Sequence, residues 1–294
     1  MNSEGPSIPW SRIESALPQL RHAQGGHSDA LRGFIMLDGV NVFVKIGVSE
    51  STKAWAAKEI KAYRFLKEKN FPYIPRVLAT NDDATGFALE AFCSRDGWDW
   101  TDAWSHARLN ATLEAADVLA NIKPDVSYAD LVADPLTLRD HSWEILFESD
   151  DLQKNLFAKL DTSQAEEFMT SMRSHVERSK RFDHRTDQLV HFDIRADNCA
   201  WNAATGQVRL VDWNWIQLGD RRIDTAAILV HVQGSGFNVL PEYADRLDSD
   251  ALHWLAGFWF AAASRPIWPG GPAKLRDGQL RSALTALDLS KQVA

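Results

Sequence analysis

The sequence predicts an α+β chain of two lobes, a small N-terminal lobe built on an antiparallel sheet and a larger, mostly helical C-terminal lobe. Three observations carry that expectation. Two apolar runs joined by Asp38-Gly39 read as a hairpin near the start, helix-like patterns dominate from Trp104 through Arg181, and the segment HFDIRADNCAWNAATGQVRLVD, His191 to Asp212, places an Asp, an Asn and a second Asp around a later hairpin. A chain of 294 residues can bury a substantial core in two linked lobes or two small domains.

Before the first strand, Ala23 to Asp29 contains Gly25 and Gly26, a small polar turn able to lay backbone N–H groups near phosphate. It is not GxGxxG and no Gly-Lys-Ser/Thr follows, so on its own it reads as a generic loop. Gly33–Leu37 and Val40–Ile46 form the hairpin strands, and the second carries Lys45 in an otherwise apolar run. A cation there either snorkels from an edge strand or pairs inside. The next element is a helix over Lys53–Lys69, with Ser51 or Thr52 as N-cap and Asn70, Phe71 and Pro72 as its stop. Trp55, Glu59, Tyr63 and Leu66 share one helical face, and Glu59 is the acid on it. A carboxylate on an aromatic-lined face wants a cation, and Lys45 is the nearest inward candidate. Surface i,i+4 contacts with neighbouring lysines are the plainer reading.

Tyr73–Thr80 and Phe87–Ala91 are further strand candidates, separated by the turn-rich Asn81 to Gly86. Arg95 to Trp104 then interleaves Asp96, Asp99 and Asp102 with Trp98, Trp100 and Trp104. Residues 1–90 carry 11 basic and 10 acidic side chains and residues 91–294 carry 21 and 30, so the net charge of −8 is +1 from the first region and −9 from the C-terminal lobe. That field suits solubility or a cationic co-substrate. The Trp-Asp cluster combines aromatic faces with carboxylates, which an ammonium-bearing ligand prefers.

Leu189 to His191 read as the end of a short strand, Ile194 to Asp197 as a polar turn, Cys199 to Trp201 as a strand, and Val208 to Trp213 as its hairpin partner. The hairpin folds Asp212 back towards Asn198. Each of these residues alone reads as a turn cap. Together they supply what metal-dependent phosphoryl transfer needs: Asp193 to orient a hydroxyl, and Asn198 and Asp212 as hard oxygen ligands for magnesium. Late in the chain, Ala251 to Ala263 is apolar but too short to span a bilayer, so it reads as a buried helix.

The segment resembles the catalytic loop of the aminoglycoside phosphotransferase and choline kinase group, relatives of protein kinases. The pattern there is His-Gly-Asp, four residues, Asn, then apolar-apolar-Asp-Trp; here it is His191, Phe192, Asp193, Asn198, Leu210, Val211, Asp212 and Trp213. Phe192 stands in place of the usual Gly, where a bulky ring narrows the pocket or tilts the loop. The resemblance implies a protein-kinase-like bilobal fold: residues 1–90 a nucleotide-binding lobe, 91–95 a hinge, and 96–294 a catalytic and substrate-binding lobe. It implies ATP and Mg2+ as cofactors. Lys45 with Glu59 resembles the strand lysine and helix glutamate that position a nucleotide's inner phosphates. Phe87 to Phe92 resembles the hinge, with backbone groups near Glu90 to Phe92 meeting adenine. Ile223-Asp224 resembles the structural aspartate that anchors the catalytic loop, although Asp224-Thr225 also reads as an N-cap pair.

Only Trp213 to Arg222 separates Asp212 from that aspartate, where a protein kinase carries a long activation segment with Ala-Pro-Glu. The acceptor implied is therefore a small-molecule hydroxyl, cationic as in an aminoglycoside-like antibiotic or an amino sugar, and not a protein. A kinase of a primary metabolite such as an amino alcohol or sugar, and a nucleotide-binding pseudokinase with a regulatory role, are the alternatives. Cys93 and Cys199 are too few for a disulfide framework, which suits a reduced, cytoplasmic setting. No basic-then-apolar leader, membrane span, zinc-type His/Cys spacing or basic tract is visible, so neither membrane nor nucleic acid is an expected partner.

Overall fold

A computed structural model describes residues 8–23, 29–123, 142–268 and 271–294. The glycine pair at 25 and 26 and part of the expected helical stretch, residues 124–141, lie outside them. The chain adopts the expected two-lobed α+β architecture, opening with α1 (Trp10–Ala16) and β1 (Arg21–His22). β2 (Leu31–Leu37) and β3 (Val40–Ile46) follow as an antiparallel hairpin. Asp38 and Gly39 take φ of 50° and 79°, the left-handed pair that a two-residue hairpin turn requires. α2 (Glu50–Glu68), β4 (Val77–Thr80) and β5 (Gly86–Glu90) complete the small lobe. The sheet order is β1-β2-β3-β5-β4, which makes β3 a central strand.

β4 starts later than the Tyr73 expected for it, because Pro75 removes a backbone donor in the middle of the apolar run. The helix starts earlier than expected. Ser49 is the N-cap, its hydroxyl accepting the Thr52 N–H while the Thr52 hydroxyl accepts the Ser49 N–H, so Thr52 is the third helical residue of a capping box. Trp55 leaves the buried stripe at 45% exposure, and Thr52 and Ala56 carry that face in the first turns. Glu59, Tyr63 and Leu66 are buried as expected.

Strand alternation sorts β3 between two cores. Val42 and Val44 pack with Ile13, Ile35, Leu78 and Ala88 on the α1 side of the sheet. Phe43 packs against the larger core, which runs from α2 and β5 into the helical lobe. Lys45 shares the Phe43 face and therefore turns towards α2. Gly47 permits the approach, since a Cβ there would lie 2.4 Å from the Lys53 nitrogen.

The larger lobe follows as β6 (Trp98–Asp99), α3 (His106–Ala120), α4 (Trp143–Glu148), α5 (Asp150–Phe157) and α6 (Thr162–Ser179). Next come β7 (Gln188–Val190), β8 (Cys199–Asn202), β9 (Gln207–Leu210) and β10 (Gln217–Gly219). α7 (Arg221–Gly234), α8 (Leu240–Tyr243), α9 (Ser249–Ala263) and α10 (Leu275–Gln292) close the chain. α9 is the buried helix expected from its apolar run. Its Gly257 faces the ring of buried Trp143, where a Cβ would intrude to 2.3 Å, and His175 stacks on the same ring at 4.4 Å. Among the described residues no helix is long and apolar enough to cross a membrane. Two antiparallel pairings frame the 191–212 segment: β8 with β9, and β7 with β10.

Candidate active site

Lys45 is paired, not snorkelling. Its Nζ lies 2.6 Å from Glu59 Oε2 and 3.2 Å from Asp212 Oδ1, and Lys45 and Glu59 are only 8% and 2% exposed. Burial alone would lower the amine's pKa, but the two carboxylates overturn that and hold it above its ordinary value. Burial also pushes the Glu59 carboxyl up to about 7, against the pull of Lys45. Asn214 joins the cluster. Its Nδ2 donates to Asp212 Oδ1 at 2.6 Å and reaches Glu59 Oε2 at 3.4 Å.

The catalytic-loop candidates are held mainly through backbone groups. Asp224, 2% exposed in the first turn of α7, accepts the N–H groups of His191 and Phe192, each at 2.8 Å. It therefore anchors the loop, and the N-cap of α7 is Asp220. Burial pushes Asp224 up to about 6 in spite of those two donors. His191 is fully buried and held neutral, its pKa lowered to about 4 by burial. Nε2 donates to the Val211 carbonyl at 3.1 Å and Nδ1 accepts the Asp193 N–H at 3.3 Å, a tautomer assigned from these partners. One imidazole thus joins the loop of Asp193 to the strand end that precedes Asp212.

Asp193 accepts from Asn198 Nδ2 through both its carbonyl and Oδ2, at 2.9 Å each. Arg195 Nε stands 3.0 Å from Oδ1. That is ion-pair distance without the angle of a hydrogen bond, because the same Nε has no hydrogen-bond acceptor. Burial pushes the Asp193 carboxyl up to about 7, with Arg195 pulling it down. Asp212 stays below the ordinary carboxylate value, as Lys45 outweighs the cost of burial.

Two backbone conformations differ from the sequence expectation. Asp212 has φ 64° and ψ 63°, so the strand expected to reach Trp213 ends at Leu210 and the chain turns left-handed into a 3₁₀ turn over Trp213–Trp215. Phe192 has φ 64°, a region that L side chains enter at a cost. Its ring meets Phe258 of α9 edge-on at 5.2 Å and 85°. The half-buried ring therefore packs against the helical core.

The donor set fits a hard cation. Asn198 spends its amide nitrogen on Asp193, which leaves its Oδ1 as the available atom. Asp212 spends Oδ1 on Lys45 and Asn214, which leaves Oδ2. Among the described residues no cluster of three or more His, Cys, Asp or Glu side chains could hold a metal ion. Two oxygens completed by phosphate and water match how magnesium is usually held, and do not match an all-protein cage.

At the expected hinge, Glu90 is exposed and Phe92 buried. The Glu90 N–H donates to the Arg76 carbonyl at 2.9 Å, and the Phe92 carbonyl accepts the Trp100 indole N–H at 2.8 Å. Those two backbone groups are already engaged. The Trp-Asp cluster is likewise partly self-satisfied. Trp104 has the Arg108 guanidinium 4.4 Å over its ring, Trp98 packs on Phe92 at 4.5 Å, and Asp99 lies 3.7 Å from Arg108. Asp102 remains 68% exposed at its side chain. Sequence reasoning missed Asn214, Arg195 and Arg108. Arg195 and Arg108 carried a faint signal, as a cation inside the catalytic segment and a cation among apolar helix positions.

Comparison with known proteins gives one family and one fold. The model described as the phosphotransferase enzyme family matches residues 23–258. No curated protein matches by sequence. An aminoglycoside phosphotransferase from Alicyclobacillus acidocaldarius superposes with a TM-score of 0.60 at 12% identity, covering 99% of this chain and 95% of that one. The choline kinase LicA from Streptococcus pneumoniae gives 0.59 at 13% identity, over 95% and 98%. The streptomycin–ATP–APH(2″)-IIa ternary complex gives 0.55 at 17% identity, over 94% of each chain.

Proposed function

The chain belongs to the phosphotransferase enzyme family, and from that premise we propose that it moves the γ-phosphoryl group of ATP, with magnesium, onto a hydroxyl of a small cationic molecule. It is a small-molecule kinase; the nucleotide, the metal, the acceptor's charge and the residue roles are what the proposal adds. The observation that carries it is the contact of Lys45 Nζ with both Glu59 and Asp212, which joins a sheet lysine to the loop of oxygen ligands across 167 residues of sequence. An amine held charged by two carboxylates is suited to nucleotide phosphates, and Glu59 keeps it aimed when Asp212 is engaged elsewhere.

In the reaction the acceptor oxygen forms a bond to the γ-phosphorus as the bond from that phosphorus to the bridging oxygen of ADP breaks. The hydroxyl proton passes to the Asp193 carboxylate. A base titrating near 7 suits that work at neutral pH, because about half of it is ionised and the carboxylate still takes a proton readily. Asn198 orients Asp193 through Nδ2 and, with Asp212, offers oxygen to the cation. Magnesium, when bound, neutralises phosphate charge and keeps the transferring group in line. Residues 1–90 would form the nucleotide lobe, with adenine against backbone groups of 91–95 that Arg76 and Trp100 have not taken.

A cationic acceptor is supported by the acidity of residues 91–294 and by exposed Asp102, whose carboxylate lies 3.3 Å from His231 beside the Asp193 loop. A choline kinase and a streptomycin complex among the similar structures agree with it. The test is an ADP-release screen over aminoglycosides, amino sugars, amino alcohols and neutral sugars. Turnover restricted to amine-bearing acceptors is expected. A preference for neutral sugars would refute the charge inference while leaving the transfer chemistry standing.

A further inference from the structure

Arg108, in the first turn of α3, is a charged side chain with no exposed surface. Its guanidinium is satisfied mainly by backbone. Nη1 donates to the carbonyls of Thr101 at 2.6 Å and Ala103 at 3.3 Å, and Nη2 donates to Cys199 at 2.8 Å with a longer 3.5 Å contact to Ala196. The nearest carboxylate oxygen, on Asp99, stands 3.7 Å away. Burying a cation among carbonyls is expensive, and an apolar side chain would fill the space at less cost. What a guanidinium adds is a rigid fork that reaches two chain segments at once.

Those segments are loop 99–104 and the turn Ala196–Asn198 with the strand residue after it. The turn is gripped from its other side too. The Ala196 N–H donates to His231 Nε2 at 3.1 Å, so that nitrogen carries no proton, and burial lowers the ring's pKa. The same Nε2 lies 3.3 Å from Asp102 Oδ1, where an unprotonated nitrogen makes no hydrogen bond, and the ring meets Trp104 edge-on at 6.1 Å. The turn is therefore held on one side by Arg108, chiefly at the Cys199 carbonyl with the longer contact at Ala196, and on the other by His231 at the Ala196 N–H, while Arg108 donates to loop 99–104 and His231 packs on its Trp104. At the end of that turn stands Asn198, whose amide holds Asp193.

We propose that Arg108 is a positioning residue for phosphoryl transfer: with His231 it ties the Ala196–Asn198 turn to loop 99–104 and thereby sets where Asn198 offers its oxygen to the cation. This rests on Asn198 as a metal ligand, the reading given under Proposed function. Loop 99–104, which lies outside the catalytic segment, then controls how well the metal is held.

The test measures Mn2+ binding by calorimetry to the full chain saturated with a non-hydrolysable ATP analogue, alongside amide hydrogen exchange of metal-free protein. Arg108→Met should weaken Mn2+ by about tenfold or more, the scale of losing an outer support of a metal ligand. It should also speed exchange over Ala196–Cys199, while affinity for the metal-free analogue stays within about threefold. Arg108→Lys should fall between wild type and Arg108→Met. His231→Phe, which keeps a ring against Trp104 and deletes the acceptor, should weaken Mn2+ by about threefold or more. If Arg108→Met does not fold, Arg108→Lys and His231→Phe decide. Mn2+ affinity in those two equal to wild type, with lower melting temperatures alone, overturns the positioning role. Wild-type protein that binds the analogue with no dependence on Mn2+ overturns the metal reading of Asn198, and the proposal with it.

Discussion

Lys45 sits on a central strand, where side-chain alternation turns it towards α2 and burial leaves it carboxylates for partners. Asp193 sits in a loop whose shape comes from a neighbouring aspartate holding two N–H groups, an imidazole joining two segments, and nearby residues in left-handed conformations. The sheet half of the site is held by periodicity and charge, the loop half by backbone hydrogen bonds. Damage should therefore differ in kind. Removing the Lys45 charge from the sheet half leaves buried Glu59 facing the half-exposed Asp212 carboxylate. Removing the Asp193 carboxylate from the loop half leaves the scaffold of Asp224 and His191 in place.

The largest expected effect is on turnover. Asp193→Ala should lower ATP-dependent phosphorylation by a factor on the order of 10² to 10⁴ with the melting temperature changed by only a few degrees, as initial rates and calorimetry would show. Undiminished turnover would remove Asp193 from the chemistry. Lys45→Met should fail in both respects, losing nucleotide-dependent turnover and about 3–5 kcal/mol of stability, because Glu59 is left buried and unpaired. The double variant Lys45→Met with Glu59→Gln sharpens the contrast. Chemical denaturation should show much of the stability restored, with turnover still absent.

Asp224→Ala tests the loop half's scaffold. Two buried N–H groups lose their acceptor at about 1–3 kcal/mol each, offset in part by removing a carboxyl that burial already disfavours, for a net loss on the order of 2–3 kcal/mol. A loss of kcat larger than the loss of stability, read from rates per folded molecule, would show that Asp224 shapes the loop as well as stabilising it. Unchanged stability would mean that the two N–H groups find other acceptors.

The smallest effect distinguishes the site from the helical core by pH. Burial holds His253, packed on Trp143 and 3.3 Å from His175, at about 3 against an ordinary 6.5. Between those values the unfolded chain binds more protons than the folded one, so acid works against the fold. Asp193 and Glu59 at about 7 and Asp224 at about 6 run the other way. Their protonated forms favour the folded state, and that contribution is lost as pH rises through those values. The trends oppose each other in the wild type. His253→Leu separates them: relative to wild type, its stability should rise by on the order of 2 kcal/mol as pH falls from about 6.5 to 4, measured by urea unfolding. A difference independent of pH would show that His253 is not kept neutral by burial.

The parts legible in the sequence were those with a local period or a turn chemistry. The β2–β3 hairpin, the Glu59 face of α2 and the apolar α9 all follow from spacing within a few residues. Lys45 was ambiguous until β5 was seen to pair with β3, which makes the strand central and closes the surface route. Phe192 and Asp212 could not be read, because nothing local demands a left-handed aromatic or a left-handed strand end. They are held by partners such as Asp224, 32 residues away, and Lys45, 167 residues away. The partners of the Trp-Asp cluster could not be read for the same reason. Arg108 and His231 arrive from helices and occupy part of it, while Asp102 stays exposed.

The separations inside the Lys45 cluster also order events in time. Lys45 meets Glu59 across 14 residues and Asp212 across 167. At about 5–20 residues per second of synthesis, Glu59 leaves the ribosome on the order of a second after Lys45, and Asp212 roughly ten to thirty seconds after it. Throughout that interval the amine already has a counter-ion from its own lobe, so the nascent sheet need not wait with a naked charge in its interior. The tie to Asp212 is added when the later hairpin arrives.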